Sequence, residues 1–139
     1  MNAIDTNVLV YFVDFDEPVK RAKAIDLLER LGAEETETVL PWQVAAEFLS
    51  CLRRWENEGK IDRDDTLQHL SQLESMLPLV YPTQSVLRLS LDLSSRYPLS
   101  HWDSMLLAAC VEAGVDTLYT EDLDEGTTYD PVRIVNPFV

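Results

Sequence analysis

A three-layer α/β/α sandwich around a parallel sheet of four or five strands is the fold class that the sequence predicts. Three observations carry that expectation. Short apolar runs suited to strands alternate with longer runs of helical period along the chain. The helical runs are closed by Gly32, Gly59, Pro98 and Gly114, residue types that stop helices. Finally, 139 residues with 46% hydrophobic content are enough for one domain, residues 1–139, with a core of its own.

The elements follow in order. Met1 to Thr6 reads as a short apolar strand that runs into a one- or two-turn helix over Asn7 to Phe12, capped by Thr6 or Asn7. After the acidic turn Asp14-Phe15-Asp16-Glu17, Pro18 suits the first turn of a helix. Its apolar positions Val19, Ala22, Ile25, Leu28 and Leu31 recur every three or four residues, and Gly32 is its expected end. Ala33 to Glu37 is a polar linker, and Thr38 to Pro41 is a second strand. From Trp42 to Gly59 a single stripe holds Val44, Phe48, Cys51, Leu52 and Trp55. Ile61 to Met76 gives a further helix, starting near Asp62 or Arg63, with Leu67, Leu70, Leu73 and Leu77 turned inward. Leu79 to Tyr81 is the third strand, and Ser85 to Tyr97 is a helix with Val86, Leu89 and Leu93 on one face. Trp102 to Ala113 is apolar on nearly all sides, the pattern of a helix buried between layers. Asp116 to Thr120 and Val132 to Val135 complete the strands.

Charge narrows the function. Eleven Lys and Arg against 25 Asp and Glu leave a net of −14, which excludes a protein that grips nucleic acid through a broad basic face. Two readings of the acids remain: a solvated surface that keeps the chain soluble, or in part a cation site whose bound divalent ions supply the positive charge that phosphate needs. No apolar run is long enough for a membrane span, and the first residues lack the basic-then-apolar pattern of a secretion signal. Cys51 and Cys110 lie inside apolar helical patterns and form neither a disulfide framework nor a C-x-x-C pair. They are expected to be buried free thiols in a reducing compartment, the cytoplasm.

Four acids stand apart from the surface charge: Asp5, Glu47, Asp103 and Asp122, each beside an expected strand end or helix start. In a parallel α/β sheet such positions fall along one edge, where these folds place their ligands. Each has a plainer explanation. Asp5 suits a turn cap, Glu47 a surface position bordering the apolar stripe, and Asp122 the acidic loop Glu121-Asp122-Leu123-Asp124-Glu125-Gly126. Asp103 completes Ser100-His101-Trp102-Asp103, a capping-box pattern, and a capping acid is still free to hold a metal. Asp5 argues hardest for function. An acid between Ile4 and Val8 is costly to bury without a partner, and no Lys or Arg occurs before Lys20.

Four segments together resemble the PIN-domain family, especially its VapC-type ribonuclease toxins of type II toxin–antitoxin systems. They are Ala3 to Tyr11 (AIDTNVLVY), Gln43 to Phe48 (QVAAEF), Leu99 to Ala109 (LSHWDSMLLAA) and Leu118 to Leu123 (LYTEDL), and the ending Ile134 to Phe138 looks like the family's last strand. The resemblance implies an endoribonuclease dependent on Mg²⁺ or Mn²⁺, with Asp5, Glu47, Asp103 and Asp122 ligating one or two ions and products ending in 5′-phosphate and 3′-hydroxyl. It further implies support from Thr120, with Asp124 as an additional ligand candidate, and gives His101 no catalytic part. RNA is the implied substrate, a homodimer the implied assembly, and a small antitoxin the implied inhibitor, offering Arg to the acidic groove. Trp42, Trp55, Tyr11 and Phe12 are candidates for those protein surfaces, and Arg53, Arg54, Lys60, Arg63, Arg88 and Arg96 for contact with RNA backbone.

The residue types agree with that chemistry. Carboxylate oxygens suit Mg²⁺ or Mn²⁺, and two His with no paired Cys argue against zinc. Rival readings have less support. An aspartate-based phosphotransferase wants a second Asp two residues after Asp5, where Asn7 stands, and a receiver-type domain wants a late Lys, yet Lys60 is the last. A PIN-like binding module without catalysis, and an RNA-processing relative outside any toxin–antitoxin pair, remain as alternatives.

Overall fold

The computed structural model describes all residues, 1–139. Six strands form one sheet: β1 (Asn2–Ile4), β2 (Thr38–Pro41), β3 (Leu79–Val80), β4 (Thr117–Tyr119), β5 (Thr128–Tyr129) and β6 (Val132–Val135). Their order is β3-β2-β1-β4-β6-β5. All neighbours pair in parallel except β5, which lies antiparallel to β6 through Thr128–Arg133 and Tyr129–Val132. The parallel part therefore has five strands, as the sequence predicts, and the hairpin strand β5 is an addition. At two residues β5 is too short to show a period.

Six helices connect the strands: α1 (Thr6–Val13), α2 (Pro18–Ala33), α3 (Trp42–Asn57), α4 (Arg63–Met76), α5 (Ser85–Arg96) and α6 (His101–Ala113). The first crossovers step from β1 to β2 to β3, and the next returns past β1 to β4. Right-handed crossovers running in opposite directions put α1 to α4 on one face and α5 and α6 on the other. In keeping with this, α1 packs on α2 and α3, α3 on α4, and α5 on α6. The reversal of direction between β1 and β4 is the topological switch point, where such sheets open a crevice at the carboxyl ends of the strands.

The three layers share one buried apolar cluster. Ala3 and Ile4 of β1, Val39 and Leu40 of β2, Leu118 of β4 and Ile134 of β6 lie between Val8, Val44, Phe48 and Leu52 on one side and Leu93, Leu107 and Ala108 on the other. Strands covered on both faces read as unbroken apolar runs, which is why β1 and β2 carry no alternation.

Several boundaries differ from the sequence expectation. α1 is capped by Asp5, whose Oδ1 accepts from the Thr6 backbone N–H, so the helix begins one residue earlier than Asn7. α2 continues through Gly32 to Ala33, because Gly32 holds ordinary helical backbone. Its buried stripe is Ala24, Leu27, Leu28 and Leu31, and Val19 is 70% exposed. Helical spacing marks a face without saying how far the covering surface extends. In α4 the same limit leaves Leu67 54% exposed, and the inward place is taken by Thr66, whose hydroxyl donates to Glu56 at 2.6 Å. The third strand ends at Val80, with Tyr81 exposed. At α6 only half of the capping box forms: Ser100 Oγ accepts from the Asp103 N–H at 3.2 Å, while Asp103 makes no return bond. A complete box occurs instead at α4, between Asp62 and Asp65.

Candidate metal and nucleic-acid site

β1 and β4 run side by side with Ile4 opposite Tyr119, and the Asp5 N–H donates to the Tyr119 carbonyl at 2.9 Å. That register brings the residues just beyond the two strands, Asp5 and Thr120, together at the switch point. Asp5 is 5% exposed. Its Oδ1 takes the Thr6 N–H at 2.7 Å, and its Oδ2 takes the Thr120 hydroxyl at 2.8 Å. No Lys, Arg or His pairs with it. Burial therefore raises its pKa to about 6, against the two hydrogen bonds that favour the carboxylate, and the negative charges of Asp122 and Glu47 raise it further.

Two other acids are tied to the same centre. Glu47 projects from α3, exposed, and its Oε2 accepts from the Thr6 hydroxyl at 2.8 Å. Its Oε1 accepts from Gln43 Nε2 at 3.1 Å, one helical turn earlier. Asp122 Oδ2 accepts from Asn7 Nδ2 at 3.1 Å, and Asn7 Nδ2 also reaches the Thr120 hydroxyl at 3.3 Å. The Asp122 N–H donates to Thr120 Oγ1 at 3.1 Å. Thr120, fully buried, thus joins Asp5, Asn7 and Asp122 through one oxygen. The preceding residue is anchored as well: Glu121 accepts from Tyr11 at 2.6 Å and from Lys20 at 3.1 Å.

Asp103 stands apart. It lies in the first turn of α6, half-buried, and no hydrogen bond joins its carboxylate to the other three acids. Its start of helix is nonetheless fastened to that of α3, because Gln43 Nε2 donates to the Trp102 carbonyl at 3.1 Å. Asp103 and Asp124 both act on Tyr129, whose hydroxyl is raised first by burial and then by these two charges. Asp124 is exposed and outside the hydrogen-bonded set. The sequence-predicted acids thus divide into a linked trio, Asp5, Glu47 and Asp122, with Asp103 on the neighbouring helix start.

The donor set suits a hard cation. Every candidate ligand is a carboxylate oxygen, and the buried one has negative neighbours and no cation. The side chains are not drawn together: no group of three His, Cys, Asp or Glu residues is close enough to hold a metal ion. Like charges repel, so uncompensated carboxylates settle on the nearest donors, here Thr6, Asn7 and Gln43, instead of on one point.

Thr6, Asn7 and Gln43 escaped the sequence reading. Asn7 follows Asp5 by two residues and Gln43 precedes Glu47 by one turn, so a polar residue at fixed offset from a candidate acid was the available signal. Three of the six basic residues considered for RNA are paired with acids. Lys60 pairs with Asp14 and Asp16, Arg63 with Glu56, and Arg96 with Asp92. Glu56, held by Arg63 and Thr66, has its carboxyl lowered to about 2. His101 is exposed and packs edge-to-face on Trp102, with centroids 4.6 Å apart. Trp55 is buried, which removes it from the aromatics available to a partner.

The fold is similar to that of several solved proteins. A toxin–antitoxin complex from Klebsiella pneumoniae aligns over 99% of this chain and 98% of the matched chain, with a TM-score of 0.64 at 20% identity. VapBC2 from Rickettsia felis, bound to a DNA fragment from its promoter, aligns over 96% of both chains with a TM-score of 0.72 at 14% identity. VapC20 of Mycobacterium tuberculosis, a toxin that cleaves the sarcin–ricin loop, covers 88% of this chain and 90% of its own, with a TM-score of 0.65 at 13% identity. No curated protein sequence matches the chain. The family description PIN domain matches residues 3–126, a span that holds all four acids and Thr120. The chain belongs to the PIN-domain family.

Proposed function

We propose that the protein, a single PIN unit over residues 1–139, is an endoribonuclease dependent on Mg²⁺ or Mn²⁺ and acts as the toxin of a toxin–antitoxin pair. The observation that carries this reading is Asp5: a buried carboxylate at the switch point, without a cationic partner, in the field of Glu47 and Asp122. Membership of the PIN family and likeness of fold to the toxins named above support it.

Asp5, Glu47, Asp103 and Asp122 are the residues that would hold the ion. When bound, a divalent cation supplies charge neutralisation for phosphate and lowers the pKa of water to yield a nucleophile. The protein supplies placement. Thr120 fixes the Asp5 carboxylate, Thr6 and Gln43 fix Glu47, and Asn7 fixes Asp122. No Ser, Cys or His within this set is required as a nucleophile, and hydrolysis leaves 5′-phosphate and 3′-hydroxyl ends. A homodimer and a cognate antitoxin offering Arg to the acids complete the reading. No helix is long and apolar enough to cross a membrane, and both cysteines are buried free thiols, which suits a cytoplasmic protein.

The test is cleavage of a panel of structured RNAs in Mg²⁺, Mn²⁺ or EDTA, beside Asp5→Asn and Asp103→Asn. Metal-dependent cuts with 5′-phosphate ends, absent from both variants, are expected. That no three acids lie close enough to hold a metal ion favours one second reading, a PIN-like binding module without catalysis. The same faint background from the wild type and both variants on every RNA, with no metal binding by the wild type, would bring that reading forward.

A further inference from the structure

A groove of about 530 Å³ opens beside the carboxylates, between the start of α3, the segment before α5, and α6. Glu47 forms part of its wall, so the groove is continuous with the acidic centre. Trp42 and Trp102 line the same groove and are 50% and 62% exposed, large costs for side chains that usually pack inside. Met105 and Ala109 make its floor apolar, and His101 braces the Trp102 ring. Two polar groups face this surface. The Ser50 hydroxyl makes no hydrogen bond, and the Gln43 amide has a settled orientation. Its two partners, the Glu47 carboxylate and the Trp102 carbonyl, are both acceptors, so Nε2 must face them and Oε1 is left free to accept.

We propose that this groove is a nucleobase subsite, in which an unpaired base of single-stranded RNA stacks on Trp42 or Trp102 while its backbone passes Glu47 toward Asp5. This deepens the nuclease reading and rests on it. Charge supports the choice of occupant. With 25 acids against 11 Lys and Arg, four of which (Lys20, Lys60, Arg63 and Arg96) already pair with acids, the chain is poorly equipped to hold RNA by neutralising phosphates alone. Stacking on aromatic faces does not depend on phosphate neutralisation, and it tolerates any base because every base has a π face. The free Gln43 Oε1 and Ser50 hydroxyl are placed to meet the polar edge of a stacked base, the usual arrangement of an apolar site with a few orienting polar groups.

The experiment measures RNA binding in EDTA, where cleavage is stopped, at physiological ionic strength, where repulsion is screened beyond about 8 Å. Labelled oligouridylate, oligoadenylate and an abasic ribose phosphate chain of equal length are titrated with wild type, Trp42→Leu, Trp102→Leu and Trp102→Phe, following anisotropy and tryptophan fluorescence. Trp55, the third tryptophan, is buried under Lys60 and serves as a constant background. Base-bearing chains should bind and quench, and the abasic chain should bind at least about tenfold more weakly. Each leucine variant should lose about tenfold, and Trp102→Phe should retain most of the affinity. Equal binding of the abasic chain, or unchanged binding by both leucine variants with native circular dichroism, overturns the proposal. So does loss of self-association in the leucine variants with RNA binding intact, which would make the groove a protein interface. A parallel cleavage assay in Mg²⁺ separates the two levels. Undiminished cleavage by the leucine variants removes the base subsite and leaves the nuclease, whereas base-dependent binding without any cleavage does the reverse.

Discussion

The Thr120 hydroxyl donates to Oδ2 of Asp5 at 2.8 Å, joining residues 115 positions apart at the carboxyl ends of two adjacent parallel strands. The same oxygen accepts from Asn7 Nδ2 and from the Asp122 N–H. One buried hydroxyl therefore sets the spacing between two acids that repel each other, and it opposes the rise in the Asp5 pKa.

Replacing Thr120 by Val keeps the shape and removes all three bonds. An oxygen of Asp5 and the Asp122 N–H lose their partner, at a cost of about 1–3 kcal/mol for a buried group. Loss of a residue that orients a ligand typically lowers metal affinity about 10- to 100-fold. Calorimetric titration with Mg²⁺ or Mn²⁺ should show that loss in Thr120→Val and recovery in Thr120→Ser. Equal affinity in all three proteins would remove Thr120 from the site.

Asp5 makes stability depend on pH in a direction opposite to that of most carboxylates. Its folded pKa is about 6 against an ordinary 3.8, so the folded state holds the proton more tightly. Well below pH 3.8, both states are protonated and Asp5 carries no penalty. As pH rises toward 6 the unfolded state ionises first, and stability falls. Above about 6 the full penalty remains, about 3 kcal/mol for a shift of two units. In EDTA, Asp5→Asn should therefore come within about 0.5 kcal/mol of the wild type near pH 4 and exceed it near pH 7.5 by about 2–3 kcal/mol in urea unfolding. Mg²⁺ should narrow the gap by stabilising only the wild type. A difference between the two proteins that stays flat across this range would sink the account.

What the sequence made legible was local. The strand ends at Asp5 and Thr120 were visible because apolar runs stop at polar residues there, and α3 and α6 because their periods are long. The contact of Thr6 with Glu47 and that of Gln43 with Trp102 were not visible, since both depend on how helices from different crossovers meet. The exposure of Trp102 was hidden for the same reason: an apolar helix start reads as core until its neighbours are known. The separation of Asp103 from the linked acids is likewise a matter of packing, and alternation along the chain does not encode it.

Gly32 and Gly114 show how one residue type carries two meanings. Gly32 sits inside α2 with no positive φ, and a Cβ there would meet nothing within 4 Å. Gly32→Ala should stabilise the protein by about 0.5–1 kcal/mol, by improving helix propensity and narrowing the unfolded ensemble. Gly114 ends α6 at φ 82°, where its N–H closes back on Cys110 and Val111. Space is equally open there, so the cost of Gly114→Ala is conformational, about 1 kcal/mol of destabilisation. Thermal unfolding of the two variants should move in opposite directions, and a shared direction would contradict the helix boundaries given above.

The two thiols give a probe of the core on which Asp5 rests. Cys110 is fully buried, and burial, together with the charge of Asp5, pushes its pKa up to about 12. Cys51 is also raised by burial, but the Arg54 guanidinium donates to its sulfur at 3.4 Å and lowers it in part. At pH 8 a thiol of pKa near 12 is ionised in only about one molecule in ten thousand, so its reaction with a disulfide reagent must await opening of the fold. Both thiols should be protected in the native protein, Cys110 more than Cys51, and both should react at once in urea. Because Asp5 contributes to the Cys110 shift, the Asp5→Asn variant should still protect Cys110, burial being the larger cause. Fast labelling of Cys110 in the native variant would mean that the sheet edge under Asp5 opens when the acid is lost.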